Sequence, residues 1–355
     1  MARRASFGSF VGAVVEWYDF LLYGVLAALV FNRQFFPSVS PAVGTIASFG
    51  TLAVGFVFRP LGGAFFGHFG DRIGPKRILV WTIGVMGLST VGIGLLPNFS
   101  SIGIWAPVLL VLLRAVQGFA VGGEWGGATL MAVSQAPKGR KAFFSSGVQM
   151  GYGAGLILAN GTVLLVTLVM GADGLASWGW RIPFWLSAPL VLTGLWVRGG
   201  VADIHHAAVE KSEEPEVTRP PLLEALTRRV GRKPVYLTGA VLGGVFAFPF
   251  FWALTGRHVV WTWVFALVLV NISHDLAVSV QQPLITELFG PQYRYSGAGL
   301  GYQVAAVVCG GFTPFIAASL VEVTGSWVGV AWYLVFGCLV SFLTVALMKG
   351  RTGPA

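Results

Sequence analysis

"RRVGRKPVYL", Arg228 to Leu237, decides how this chain divides. "GDRIGPKRILV", Gly70 to Val80, is its close variant. Each sets a basic residue, an apolar residue, a Gly and further basic residues just ahead of an apolar run. Two long apolar segments precede the first copy. Only a charged linker separates the second from the segment ending near Arg198. Related motifs at unequal positions imply a repeat whose second unit lacks its first two segments.

The segments themselves indicate a membrane. The chain has 355 residues, 55% of them hydrophobic and 10% charged, with a mean hydropathy of +0.76. Its apolar residues come in runs of about 20, enough to span a hydrocarbon layer ~30 Å thick. Spans are expected at 10–31, 43–66, 78–96, 104–127, 143–170, 181–198, 235–255, 259–281, 296–320 and 327–348. All should be helices, because an isolated strand leaves its backbone polar groups unpaired in lipid. The expected fold class is therefore all-α, a polytopic helical membrane protein of ten spans. The 49 glycines suit close helix packing. Cys309 and Cys338 lie in different runs and read as core residues rather than a disulfide or metal pair. The basic start "MARRASFGS" leads into a run carrying Glu16 and Asp19, with no cleavage site, so it is not read as a cleaved signal.

Charge placement orients the spans. With a cytoplasmic N-terminus, the inside loops hold 18 of the 23 Lys and Arg residues. The outside loops hold Arg33, Arg181 and Arg257, and the spans hold Arg59 and Arg114. That asymmetry is the positive-inside pattern. The net charge of +9 then reports topology and contact with anionic lipid, not a nucleic-acid partner. The hydrophilic segment Gly199 to Lys233, with "EKSEEPEVTRPP", reads as a cytoplasmic linker. The expected organisation is a six-helix bundle over 1–198, a linker over 199–234 and a four-helix bundle over 235–355. Both termini are expected to be cytoplasmic, in the plasma membrane.

"RPLGGAFFGHFGDRIGPKR", Arg59 to Arg77, joins two spans by a charged turn. It is either a basic hairpin or a gate. The gate would be a latch of Arg59, Asp71, Arg72, Lys76 and Arg77, with Gly67 and Gly74 allowing close crossing. The loop resembles the signature loop of the major facilitator superfamily, and "RAVQGFAVGGEWGGA" (Arg114 to Ala128) resembles that family's fourth-helix motif. "GAVVEWYDFLLYG", "WGWRIPF" and "QQPLITELFGPQYRYSGAGLGYQ" narrow the resemblance to its metabolite:proton symporter branch. That branch includes bacterial shikimate, 2-oxoglutarate, citrate and proline/betaine carriers. The resemblance covers nearly all the chain except the linker. It implies proton-coupled symport of a small polar metabolite, shikimate-like or a dicarboxylate, across a bacterial inner membrane. Two departures matter. Arg228 stands where the family carries an acidic residue, and ten spans stand where it has twelve. The alternative function is thus a truncated, non-transporting membrane protein.

Ionisable groups inside a membrane cost on the order of 3 kcal/mol unless paired or wetted, so they are the leading candidates. Glu16 and Asp19 share a helix face and suit a carboxyl that takes and releases a proton. The alternative for Glu16 is a structural pair with an Arg. Arg114, with Gln117 beside it, needs a carboxylate partner, for which Glu16, Asp19 and Glu124 are the options. The resemblance associates this arginine with proton coupling or anion binding; a static ion pair is the alternative. Glu124, among glycines, reads as structural or gating. "NISHD" places Asn271 and Asp275 on one face, with His274 a residue type that titrates near neutral pH. Gln149, Tyr152, Tyr302 and Gln303 are candidates to line a polar cavity. No catalytic or phosphate-binding motif appears, and the five His and two Cys lack metal-ligand spacing. Neither enzyme chemistry, nor a cofactor, nor a metal is expected.

Overall fold

The computed structural model describes residues 2–73, 75–134, 141–199, 232–278, 280, 281 and 303–348. Among these, ten main helical segments follow one another, with a four-residue helix, Phe99–Ile102, between the third and the fourth. The first, α1, runs over Ala2–Leu26 and continues through a π-helical turn, Ala27–Phe31, to Asn32–Phe35. Next come α2 (Pro41–Ile73), α3 (Pro75–Leu95), α4 (Trp105–Ser134) and α5 (Lys141–Gly174). The sixth, α6, joins Arg181–Trp185 to Ser187–Gly199. Beyond the linker lie α7 (Arg232–Thr255), α8 (Val259–Ala266 extended by the π-helix Leu267–Ser273), α9 (Ala306–Gly311 and Thr313–Thr324) and α10 (Val328–Leu347). Nine of these contain a stretch long and apolar enough to cross a membrane; the apolar part of α6, Arg181–Val197, is shorter.

Packing groups the chain into two units. One is Met1–Glu216 with Leu300–Phe315, the other Val217–Gly299 with Ile316–Ala355. In the first, α1 lies along α5, α2 crosses α4, and α3 packs on α4 and α6. Glycine makes the α2–α4 crossing possible. A Cβ on Gly118 would lie 1.8 Å from the Gly55 carbonyl oxygen, and one on Gly122 would lie 2.0 Å from that of Arg59. Only hydrogen fits there, so the backbones meet directly. The α1–α5 seam repeats the device. A Cβ on Gly151 would lie 2.5 Å from that of Ala13, and one on Gly155 2.8 Å from that of Trp17. The opening turns of α9 belong to this unit because Gly311 closes on Phe56 of α2.

The "WGWRIPF" motif closes one end of the first unit. Trp180 and Phe184 pack edge-on against each other and meet Phe31 of α1. Tyr18 donates to the Pro183 carbonyl at 2.6 Å. Arg181 donates to the Leu96 carbonyl at 3.1 Å, satisfying an acceptor just past the end of α3.

In the second unit, α7 packs on α10 and α8. Ser273 donates to the Gly239 carbonyl at 2.8 Å. Lys233, the end of the second loop motif, donates to the Ala346 and Met348 carbonyls at 2.6 and 3.0 Å. It thereby caps the C-terminal end of α10 with positive charge.

Candidate functional site

A buried polar chain runs through the first unit. The apolar windows of α1 and α3 are each 56% buried, and that of α4 is 50%. Polar groups among them must find partners within the protein. Asp19 of α1, Thr90 of α3, and Arg114 and Gln117 of α4 are each at most 5% exposed. The Thr90 hydroxyl donates to Asp19 Oδ2 at 2.6 Å. Gln117 Nε2 donates to Thr90 Oγ1 at 2.8 Å and lies 3.4 Å from Asp19 Oδ2. Arg114 Nη1 donates to Gln117 Oε1. Every donor in this series points from the guanidinium towards the carboxylate, so the two charges are joined by two neutral groups.

Arg114 is held on its other side by an aromatic face. Its guanidinium lies 3.9 Å from the Tyr23 ring centroid. The Tyr23 hydroxyl bonds in turn to Thr51 of α2. The expected direct carboxylate partner is thus not what Arg114 has. Gln117, one turn along the same helix, reaches the cation first, and Tyr23 covers it.

Asp19 and Arg114 border a cavity of about 20 Å³, shared with Glu16, Arg59 and Gln117. That volume is about the size one water needs. Asp19 Oδ1 and Arg114 Nε are buried with no hydrogen-bond partner among the described residues. Glu16 faces Arg59, whose Nη1 is 4.0 Å from its Oε1. Of the two acidic groups on α1, Glu16 therefore approaches an arginine directly, whereas Asp19 connects to one through Gln117, both at 3.4 Å and by way of Thr90. Glu124 is buried at 2% exposure on the same helix as Arg114.

Tyr152 of α5 stands edge-on to Trp17, centroids 4.8 Å apart. Gln303 is half-buried at the start of the described part of α9. Asn271 on α8, and His274 and Asp275 in the helical turn that follows it, are exposed. His274 Nδ1 meets its neighbour Asp275 Oδ1 at 3.2 Å. Arg77 is exposed at the start of α3. Gly74 and Tyr302 lie outside the described residues, as do the surroundings of Gly67 and the side chains of Asp71, Arg72, Lys76 and Gln149. Sequence reasoning missed Thr90, Tyr23 and Thr51. Hydroxyls in apolar helices usually bond their own backbone, and nothing in the local pattern marks these as different.

A model of the sugar (and other) transporter family matches residues 5–198, more than half of the chain. The chain belongs to that family. It is a multi-pass membrane transport protein of the major facilitator superfamily. Among its relatives, the shikimate transporter of Escherichia coli (strain K12) is 50% identical over 414 aligned positions, covering 98% of this chain and 94% of the relative. A putative metabolite transport protein of Haemophilus influenzae is 32% identical, covering 98% and 95%. The inward open xylose transporter XylE of E. coli shares the fold, with a TM-score of 0.76 at 16% identity, covering 99% of this chain and 98% of that one. The relatives and structural neighbours are transporters, and this chain is a transporter and not an enzyme. The 414 aligned positions exceed the 355 residues of this chain, so at least 59 of them have no residue here opposite them.

Proposed function

We propose that this chain is a proton-coupled symporter of a small polar organic acid, shikimate first among the candidates. The observation that carries this reading is the buried series Asp19–Thr90–Gln117–Arg114. A carboxylate and a guanidinium inside a membrane are costly and are retained where they do chemistry. Asp19 takes the proton. Arg114, released from full neutralisation when Asp19 is protonated, attracts an organic anion. The 50% identical relative named a shikimate transporter supports the substrate class. The bundles over 1–198 and 235–355 would close alternate sides of a central site, with Arg59, Asp71, Arg72, Lys76 and Arg77 as the gate on the cytoplasmic side. The membrane is a bacterial inner membrane, with both termini and the linker inside.

The test is accumulation in proteoliposomes under an imposed pH gradient, with shikimate, 2-oxoglutarate, citrate and betaine. Shikimate should accumulate and be lost on adding a protonophore. Asp19→Asn and Arg114→Ala should each abolish accumulation. Full accumulation by both variants refutes the proposed path.

Three observations favour a second reading, in which a helix pair is absent: the aligned positions with no residue here, the second loop motif with only a charged linker before it, and the low burial of the later helices. Only 6% of the apolar windows of α8 and α9 and 11% of that of α10 are buried. A second bundle of four helices would leave one wall of the site open, and the chain would bind substrate without accumulating it. Saturable binding with no protonophore-sensitive uptake is the result this reading expects.

A further inference from the structure

Thr90 has one proton and two acceptors. Its Oγ1 lies 2.6 Å from Asp19 Oδ2 and 3.0 Å from the Met86 carbonyl, one turn back on α3. Only one of these can receive the hydroxyl hydrogen at a time. The same oxygen accepts from Gln117 Nε2 at 2.8 Å, which leaves one lone pair for a second donor. The group is fully buried, so water does not compete for either arrangement.

We propose that Thr90 is a hydrogen-bond switch that reads the protonation state of Asp19 and passes it to Gln117 and Arg114. This deepens the reading above and rests on Asp19 being the proton carrier. With Asp19 ionised, Thr90 donates to Oδ2. When a proton from water bonds to Oδ2, the carboxyl becomes the donor and Thr90 Oγ1 its acceptor. The Thr90 hydrogen then turns to the Met86 carbonyl. The proton comes from a hydronium ion in that water, so one O–H bond breaks there as one forms at Asp19, and no bond between heavy atoms changes.

The reversal has a consequence beyond Asp19. Gln117 donates to an oxygen whose own hydrogen has moved away, and Arg114 still donates to Gln117 Oε1. The far end of the series keeps its geometry while its near end loses a negative charge. Arg114 is then a held but unneutralised cation, which is the state an incoming anion requires. Direct pairing of Asp19 with Arg114 would instead free the guanidinium to swing on every proton cycle. Thr90 is in this sense a positioning residue. The charged groups around Asp19 are Glu16 on its own helix, Arg59 from α2, and Arg114 and Glu124 from α4. None of these replaces the Thr90 contact to Oδ2.

The experiment is infrared difference spectroscopy, acidic against alkaline buffer, on the full chain in lipid. The carbonyl band of a protonated carboxyl responds to its hydrogen bonds and needs no transport to be read. Asp19→Asn should remove one such band, which assigns it. Thr90→Val, matched in shape but lacking the hydroxyl, should shift that band. Thr90→Ser should return it to the wild-type position. An Asp19 band left in place by Thr90→Val overturns the switch alone. So does a band that Thr90→Ser fails to return, since that marks a packing effect. The absence of any band lost in Asp19→Asn overturns both the switch and the proton-carrier reading.

Discussion

Replacing Gly118 by Ala tests the seam that holds the polar series together. The added Cβ would sit 1.8 Å from the Gly55 carbonyl oxygen, with the Gly55 carbonyl carbon at 2.6 Å. Both are backbone atoms, so no side chain can turn aside. Cβ atoms in proteins do not approach closer than 3.0 Å, so the helices must part by at least 1.2 Å at this point. A gap of 0.5–1 Å already forfeits roughly a quarter to a half of a dispersion contact. The loss extends along the seam, because Gly62 meets the Phe119 carbonyl, and Gly122 that of Arg59, just as closely. Overpacking with such limited relief costs about 3 kcal/mol, the upper end of the usual range. That corresponds to a fall in melting temperature of roughly 4 °C for a chain of this size. The control is Gly84→Ala, where an added Cβ meets nothing within 4 Å. Thermal unfolding of the purified protein in one detergent, followed by intrinsic fluorescence, gives the comparison. Equal melting temperatures for the two variants would refute direct backbone contact between α2 and α4.

Three further outcomes follow from the same geometry. Tyr18→Phe removes a buried donor from the Pro183 carbonyl and should destabilise by about 1–2 kcal/mol in the same thermal assay; an unchanged melting point would count against that bond. Amide hydrogen exchange in detergent should be faster in α8, α9 and α10 than in α1 and α3, given 6–11% against 56% burial of their apolar windows; uniform protection would contradict the sparse packing of the second half. A cysteine placed at Ser212 should resist an impermeant thiol reagent in intact cells and react after lysis; labelling before lysis would reverse the orientation that the Lys and Arg distribution gives.

The helices were legible because hydrophobic runs of membrane length have few alternatives. Nine of the ten expected spans overlap a helix long and apolar enough to cross a membrane, the tenth overlaps the shorter α6, and residues 296–302 of the ninth lie outside the described residues. The role of glycine was legible in kind, since so many in an apolar chain imply close crossings, but the sequence did not say that Gly118 meets Gly55. At the site, Asp19 and Arg114 stood out because charge in lipid is rare. Their connection did not. The sequence suggested a direct ion pair, whereas Gln117 lies nearer to the guanidinium and Tyr23 stacks on it. Thr90 was invisible for a related reason. A threonine that bonds its own helix and one that bonds a carboxylate on another helix look alike in sequence, and Thr90 is placed to do both. The second half reads differently again. "NISHD" looked like a polar cluster inside a helix, yet Asn271, His274 and Asp275 are all exposed. Exposure there depends on which helices are present to cover them, and a sequence motif does not carry that.

The most direct test of the central claim is substrate-driven proton movement. Proteoliposomes holding the wild-type chain and an internal pH dye, with no gradient imposed, would receive external shikimate. The account predicts internal acidification that saturates with shikimate and disappears in Asp19→Asn. An acidification of the same size in Asp19→Asn, or none with shikimate, 2-oxoglutarate, citrate or betaine in the wild type, would contradict it.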